Sequence, residues 1–218
     1  MGIGFVIIIH LVAIFILSAV IAFVWAILTR LLSKQEKRKR KILFAGLAPF
    51  IGLYTLYFLG LFGSIIVSEI KGFDLGIGDS WYVPLSDKCK LTFIDLPEQA
   101  SLNENSRVLV DNLNLIQQTK DKIICKTYDS IFFIYEIKTS SMTKYKNEIE
   151  FTKTNPTINL NLTNAWNFYI ERKNEIAGSS FIVVGLISLF VSGFILWTIR
   201  KLLLGEFQFQ KRKKLLPT

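Results

Sequence analysis

Few side chains in this sequence are of a type that could do chemistry. Two cysteines, Cys89 and Cys125, one histidine, His10, and the carboxylates Asp79, Asp87, Asp95 and Glu98 are the candidates. A thiolate nucleophile wants a neighbouring base, and a zinc-type site wants several Cys or His ligands. His10 lies within an uncharged apolar run, so it is out of reach of both cysteines. The carboxylates could form an acid–base pair only if folding gathered them. The loop "KGFDLGIGDSWYVPL" carries Gly72, Gly76 and Gly78 with Asp74 and Asp79. It matches neither the dinucleotide nor the P-loop pattern, and it lacks the alternating ligands and closing Glu of a calcium loop. The inventory therefore predicts no catalytic residue, no metal site and no cofactor.

A pair of cysteines in a segment expected to face an oxidising compartment favours a disulfide between Cys89 and Cys125, with inert buried thiols as the alternative. That expectation depends on where the segment lies, and so on the elements around it.

The 218 residues are 51% hydrophobic yet carry a net charge of +9. Apolar and basic residues are segregated along the chain. Stretches 5–28, 42–67 and 177–199 contain no Asp, Glu, Lys or Arg. At about 1.5 Å per residue each is long enough for a hydrocarbon core of roughly 30 Å. The expected organisation is a transmembrane helix over 1–29, a basic loop over 30–41, a second span over 42–68, a β-rich domain over 69–176, a third span over 177–199 and a basic tail over 200–218. The N-terminal run lacks a basic leader and is too long for a cleaved signal.

Residues 30–41 hold seven cations and one Glu, and residues 200–218 hold six and one, whereas 69–176 holds thirteen cations against fifteen carboxylates. Cations in short flanking segments stay in the cytoplasm. Lys34, Lys37, Arg38, Lys39, Arg40 and Lys41 thus read as topology determinants rather than as a nucleic-acid site, since the loop is too short for a nucleic-acid fold. The N-terminus and the β-rich domain fall outside a cytoplasmic, inner-type membrane. Trp25 and Trp197 are expected at one bilayer interface, and Trp81, Tyr82 and Trp166 at the other.

Small residues recur at helical spacing in each span: Ser18 and Ala22; Gly52, Gly60 and Ser64; Gly185, Ser188 and Ser192. Such stripes let helix backbones approach closely in lipid, within one chain or in a homo-oligomer. Pro49 is expected to bend the second span. His10 is expected to pair, as neutral imidazole, with a carbonyl or with Tyr57.

In the outer segment, 89–96, 106–110, 114–119, 122–128, 129–139 and 148–154 read as strands, with "PEQASLNENS" and "VDN" as turns. The run 131–137 suggests a strand covered on both faces. Thr163 or Asn164 can cap an amphipathic helix leading to the third span, with Gly178 a candidate break. The fold class is an α+β membrane protein: three transmembrane helices, a small antiparallel β-rich extracytoplasmic domain and one amphipathic helix before the last span. Its partners would be the lipid bilayer and a protein outside the cytoplasmic membrane. It would serve as an immunity protein against a secreted toxin or as an accessory subunit of a membrane complex. Signalling through a partner helix, and catalysis by gathered carboxylates, are the competing readings.

Overall fold

A computed structural model describes residues 3–105 and 107–205. Their elements run α1 (Ile3–Leu32), α2 (Arg38–Lys71), β1 (Ser80–Pro84), β2 (Cys89–Ile94), β3 (Leu96–Glu104), β4 (Arg107–Gln118), β5 (Lys122–Thr127), β6 (Phe132–Glu136), β7 (Ser141–Tyr145), α3 (Glu148–Thr154), β8 (Thr163–Asn164) and α4 (Ala165–Leu204). Helices α1, α2 and α4 are each long and apolar enough to cross a membrane. The chain divides into two compact units. One comprises the residues through Val6 with Ser64–Ile182, and the other Ile7–Gly63 with the residues from Val183 on.

The helical unit owes its structure to a shortage of alternatives. A long apolar segment satisfies its backbone most readily as a helix, with every N–H and C=O paired inside the segment. The helices are tied by small residues and by hydroxyls that reach a neighbouring backbone. Ser18 Oγ donates to Pro49 O at 3.5 Å, Ser192 Oγ to Gly52 O at 2.9 Å and Tyr54 Oη to Leu11 O at 3.0 Å.

The sheet unit is an antiparallel meander. Strands β1 to β7 pair in chain order, and β8 pairs with β4 beside β3. Alternation along β5 and β6 assigns the two faces. Ile123, Cys125 and Tyr135 enter one buried cluster with Phe93, Leu91, Leu102 and Tyr169. Ile124, Phe132 and Ile134 enter a second cluster with Tyr145 and with Phe151 of α3. The centre of the sheet is thus covered on both sides, as the apolar run 131–137 implies. Each fully buried Phe or Ile contributes on the order of 1.5–3 kcal/mol.

Several expected elements differ. Residues 148–154 form helix α3 rather than a strand. Asn147 caps it, its side chain accepting from Glu150 N at 2.9 Å, while the Glu150 carboxylate accepts from Lys146 N at 2.7 Å. This reciprocal cap outweighs the strand propensity of Ile149 and Phe151. The polar stretch expected as a turn after Leu96 is mostly strand β3, because Ala100 and Leu102 point into the core. The segment expected to turn at "VDN" stays within β4. It takes up a register shift against β3 there, with Asn112 at φ 56°, a conformation Asn tolerates. Strands β1, β7 and β8 come in addition. Helix α4 runs without a break through Gly178, so the amphipathic helix and the third apolar stretch are one element.

Candidate functional site

The sheet unit contains a recess built from two segments far apart in sequence. Its lining is Leu75, Gly76 and Trp81 on one side and Trp166, Tyr169, Ile170, Lys173 and Asn174 on the other, with a volume of about 360 Å³. The second set lies at the start of α4, where Asn164 Oδ1 accepts from Trp166 N at 3.0 Å and caps the helix. Positions 166, 169, 170 and 173 then share one helical face. Trp166 and Tyr169 stack with ring centroids 5.3 Å apart, and Trp81 meets Trp166 edge-on at 5.5 Å. Phe93 supports both from below, at 5.6 and 5.3 Å.

The other wall is held by Asp74, whose Oδ1 accepts from Gly76 N at 2.6 Å. Gly76 has φ +79°, and a Cβ there would stand 3.4 Å from Trp81 Cδ1 and 3.5 Å from Lys173 Nζ. Glycine is called for at this point by the backbone, since the Cβ contacts would be ordinary ones but the positive φ would strain any other residue. Lys173 Nζ donates to Leu75 O at 2.8 Å and to Tyr169 Oη at 3.4 Å. Desolvation lowers the Lys173 pKa, opposed by the nearby Asp74 carboxylate. Burial pushes the Tyr169 phenol up to about 12, and Asp74 adds to the shift. The recess therefore combines aromatic surface, one partly desolvated ammonium and a carboxylate close behind it.

A second feature is the end of the sheet. Strand β7 lies last in the strand order and pairs only with β6 among the described strands. Ser141, Met142, Thr143 and Lys144 are all exposed. Beside it, Ile149 on α3 is 80% exposed and Met142 41% exposed.

A third is a buried polar group in the larger cluster. Tyr135 Oη donates to Oε1 of the half-exposed Glu104 at 2.7 Å, at the edge of the cluster. That bond, above all, with Ser140 and the charges of Lys88 and Arg107, holds the Glu104 carboxyl below its usual range. Burial pushes Tyr135 up to about 12 and Cys89 up to about 11. Desolvation raises the Cys125 thiol further still, and Cys89 adds to the shift.

The expected disulfide is not formed. Cys89 and Cys125 are free, buried thiols in this structure. They stand on β2 and β5, two strands that do not pair, because β3 and β4 lie between them in the sheet order. The even count is met by two core positions, the alternative the sequence left open. Of the candidate carboxylates, two come together and one lies apart. Asp79 and Asp95 meet through Asp95 N and Asp79 O at 2.8 Å, whereas Asp87 lies beyond the opposite end of β2. Among the described residues no group of three or more His, Cys, Asp or Glu could hold a metal.

In the helical unit, Ser18 and Ala22 are buried, Gly52 lies against Leu196, and Ser192 reaches Gly52. Ser188 is buried but bonds within its own helix, to Val184 O. A Cβ on Gly60 or Gly185 would meet nothing within 4 Å, so those two take no part in close packing. Ser64 is half-buried at the start of the sheet unit's share of α2. The tightest approach was not singled out by spacing: a Cβ on Gly63 would stand 2.6 Å from Val184 Cγ1. His10 Nδ1 lies 3.4 Å from Tyr57 Oη, the partner expected for it.

The basic run has a structural task as well as a charge. Lys37 Nζ donates to Leu204 O at 2.7 Å, Arg40 to Leu203 O at 3.5 Å, and Arg38 to Arg30 O. These carbonyls end α4 and α1, where an orphan acceptor and the negative end of the helix dipole both favour a cation. Lys34 and Lys39 are exposed and Lys41 half-buried. The basic tail beyond Gly205 lies outside the described residues. Trp25 packs edge-on against Phe44 at 6.1 Å, and Lys201 Nζ sits 4.0 Å over the Trp197 ring. Tyr82, on β1, carries Lys90 Nζ 4.3 Å over its ring.

Compared with known proteins, the chain matches no family model, no curated protein and no solved structure.

Proposed function

We propose that this chain is a membrane-anchored binding module whose sheet domain captures a protein partner outside the cytoplasm. The observation that carries the reading is the open β7 edge. A terminal strand with unpaired backbone groups is a template for an added strand. In β7 that edge is flanked by the exposed apolar side chains of Met142 and Ile149, which would grip alternate residues of an extended partner segment. Charge supports the outward orientation: the two basic segments stay in the cytosol while the nearly neutral sheet domain crosses. Capture rather than catalysis accords with the thiols held protonated in the core. Two settings share this chemistry, neutralisation of a toxin arriving from outside and service as an accessory subunit.

Photo-cross-linking from Thr143 in the full chain, in native membranes, tests it. A discrete cross-linked protein from position 143, absent from a control on Asp87 at the β1–β2 turn, is the expected result. No adduct, or the same adducts from both positions, would overturn the reading. A partner captured in unchallenged cells identifies an accessory subunit. A deletion lethal only while a toxin is made identifies an immunity protein.

A further inference from the structure

The recess around Lys173 lies at a defined depth along α4. Lys173 precedes the uncharged stretch 177–199 by four residues, about 6 Å along a helix axis. Each polar layer flanking a hydrocarbon core is about 5–8 Å deep. If α4 crosses a bilayer over 177–199, Lys173 stands at the level of the lipid phosphates, with the aromatic wall of the recess on its outer side.

A lysine at that depth ordinarily extends its ammonium toward water. Lys173 does the opposite. Its Nζ lies 5.6 Å from the centre of the Tyr169 ring and 5.9 Å from that of Phe73, and it is tied to Leu75 O. An ammonium has three donors, and the two bonds to Leu75 O and Tyr169 Oη leave one for a ligand. Its lowered proton affinity is the mark of a charge short of solvent, which a bound anion would restore. The rest of the recess suits a cation: the rings of Trp81 and Trp166, with the Asp74 carboxylate near Lys173.

We propose that this recess binds the headgroup of an ethanolamine-type phospholipid, its phosphate accepting from Lys173 and its ammonium set against Trp81, Trp166 and Asp74. The site is independent of partner capture at β7. Its ligand is a phosphodiester carrying a primary amine, and the lipid rather than a free small molecule is the source.

Native mass spectrometry of the full chain, released from micelles titrated with phosphatidylethanolamine or phosphatidylglycerol, tests the proposal. The wild type should retain the ethanolamine lipid preferentially. Lys173→Gln should weaken retention about tenfold, the loss of one charge-assisted hydrogen bond. Trp81→Leu, which leaves Lys173 in place, should retain both lipids alike. Unchanged melting of each variant shows that the fold survives, and Trp81→Leu gives a second readout should Lys173→Gln unfold. Equal retention of both lipids by the wild type, preference for the glycerol lipid, or wild-type retention by Lys173→Gln would each overturn the proposal. So would saturation by soluble glycerophosphoethanolamine that the lipid fails to displace, because the occupant would then be a free phosphodiester.

Discussion

The helical unit and the sheet unit use polar side chains in opposite ways. Among the helices hydroxyls act singly: Ser18, Ser192 and Tyr54 each give one hydrogen bond to a carbonyl of another helix, and buried Ser188 gives one within its own. In the sheet unit polar groups are collected, Tyr135 with Glu104 and Cys89, and Lys173 with Tyr169 and Asp74. The physical reason is the driving force available. Without hydrophobic drive in lipid, helices associate through close backbone approach, and single hydroxyls add a little. The sheet unit has large apolar clusters to hold it together, so it can bury polar groups whose worth depends on one another. The comparison implies that damage should be severe and cooperative in the sheet, and small and local among the helices unless it blocks a close approach.

The largest contrast concerns the thiols. In the native, unreduced protein neither Cys89 nor Cys125 should react with a maleimide, and both should react after unfolding without any reductant. Labelling that appears only after reduction would reinstate the bridge. Next, Phe93→Ala removes a fully buried ring beneath Trp166 and Tyr169 and should cost about 3–5 kcal/mol in urea unfolding followed by tryptophan emission.

Gly63→Ala places a methyl 2.6 Å from Val184 and should cost about 1–3 kcal/mol, whereas Gly60→Ala, which meets nothing within 4 Å, should be neutral. Thermal melting in micelles decides this, and equal effects would show that spacing rather than contact governs the helices.

Tyr135→Phe probes the buried network through pH. Glu104 is lowered in the fold, so its contribution is complete above the ordinary carboxylate value of 4.5 and is lost as pH falls through the lowered one. The variant should therefore lose less stability than the wild type on acidification over that window. On the alkaline side the sign reverses. Cys89 and Tyr135 are raised to about 11 and about 12, so their contribution is complete below their ordinary values of 9.0 and 10.0 and fades as pH climbs toward the raised ones. Denaturation midpoints against pH measure both limbs. Smallest of all, Ser192→Ala should cost about 0.6 kcal/mol, the typical worth of one interhelical hydrogen bond in a membrane. A loss as large as that of Phe93→Ala would dissolve the distinction between the units.

The three apolar stretches were legible because a run without charge leaves its backbone few options other than a helix. The central strands were legible for a related reason, since Ile123–Cys125 and Phe132–Tyr135 are apolar on both faces. Strand β3 was hidden by Pro97, Glu98 and Gln99, which read as a turn although Ala100 and Leu102 lie in the core. Helix α3 was hidden because its signal is the Asn147–Glu150 cap rather than a periodic apolar face. Of the recess, Trp81 and Trp166 stood out by type, but Lys173 did not: an amphipathic helix carries many such lysines, and the direction of this one depends on where Leu75 O lies.

Composition and charge order by themselves determined three membrane-length helices and a β-rich segment between the last two. Those properties are set within one stretch of chain, by hydration and backbone hydrogen bonding. The fate of Cys89 and Cys125, the glycine that touches a neighbouring helix and the meeting of Trp81 with Lys173 were decided only by tertiary structure. Each is a distance between residues remote in sequence, fixed by how the sheet registers and how side chains fill the space between elements.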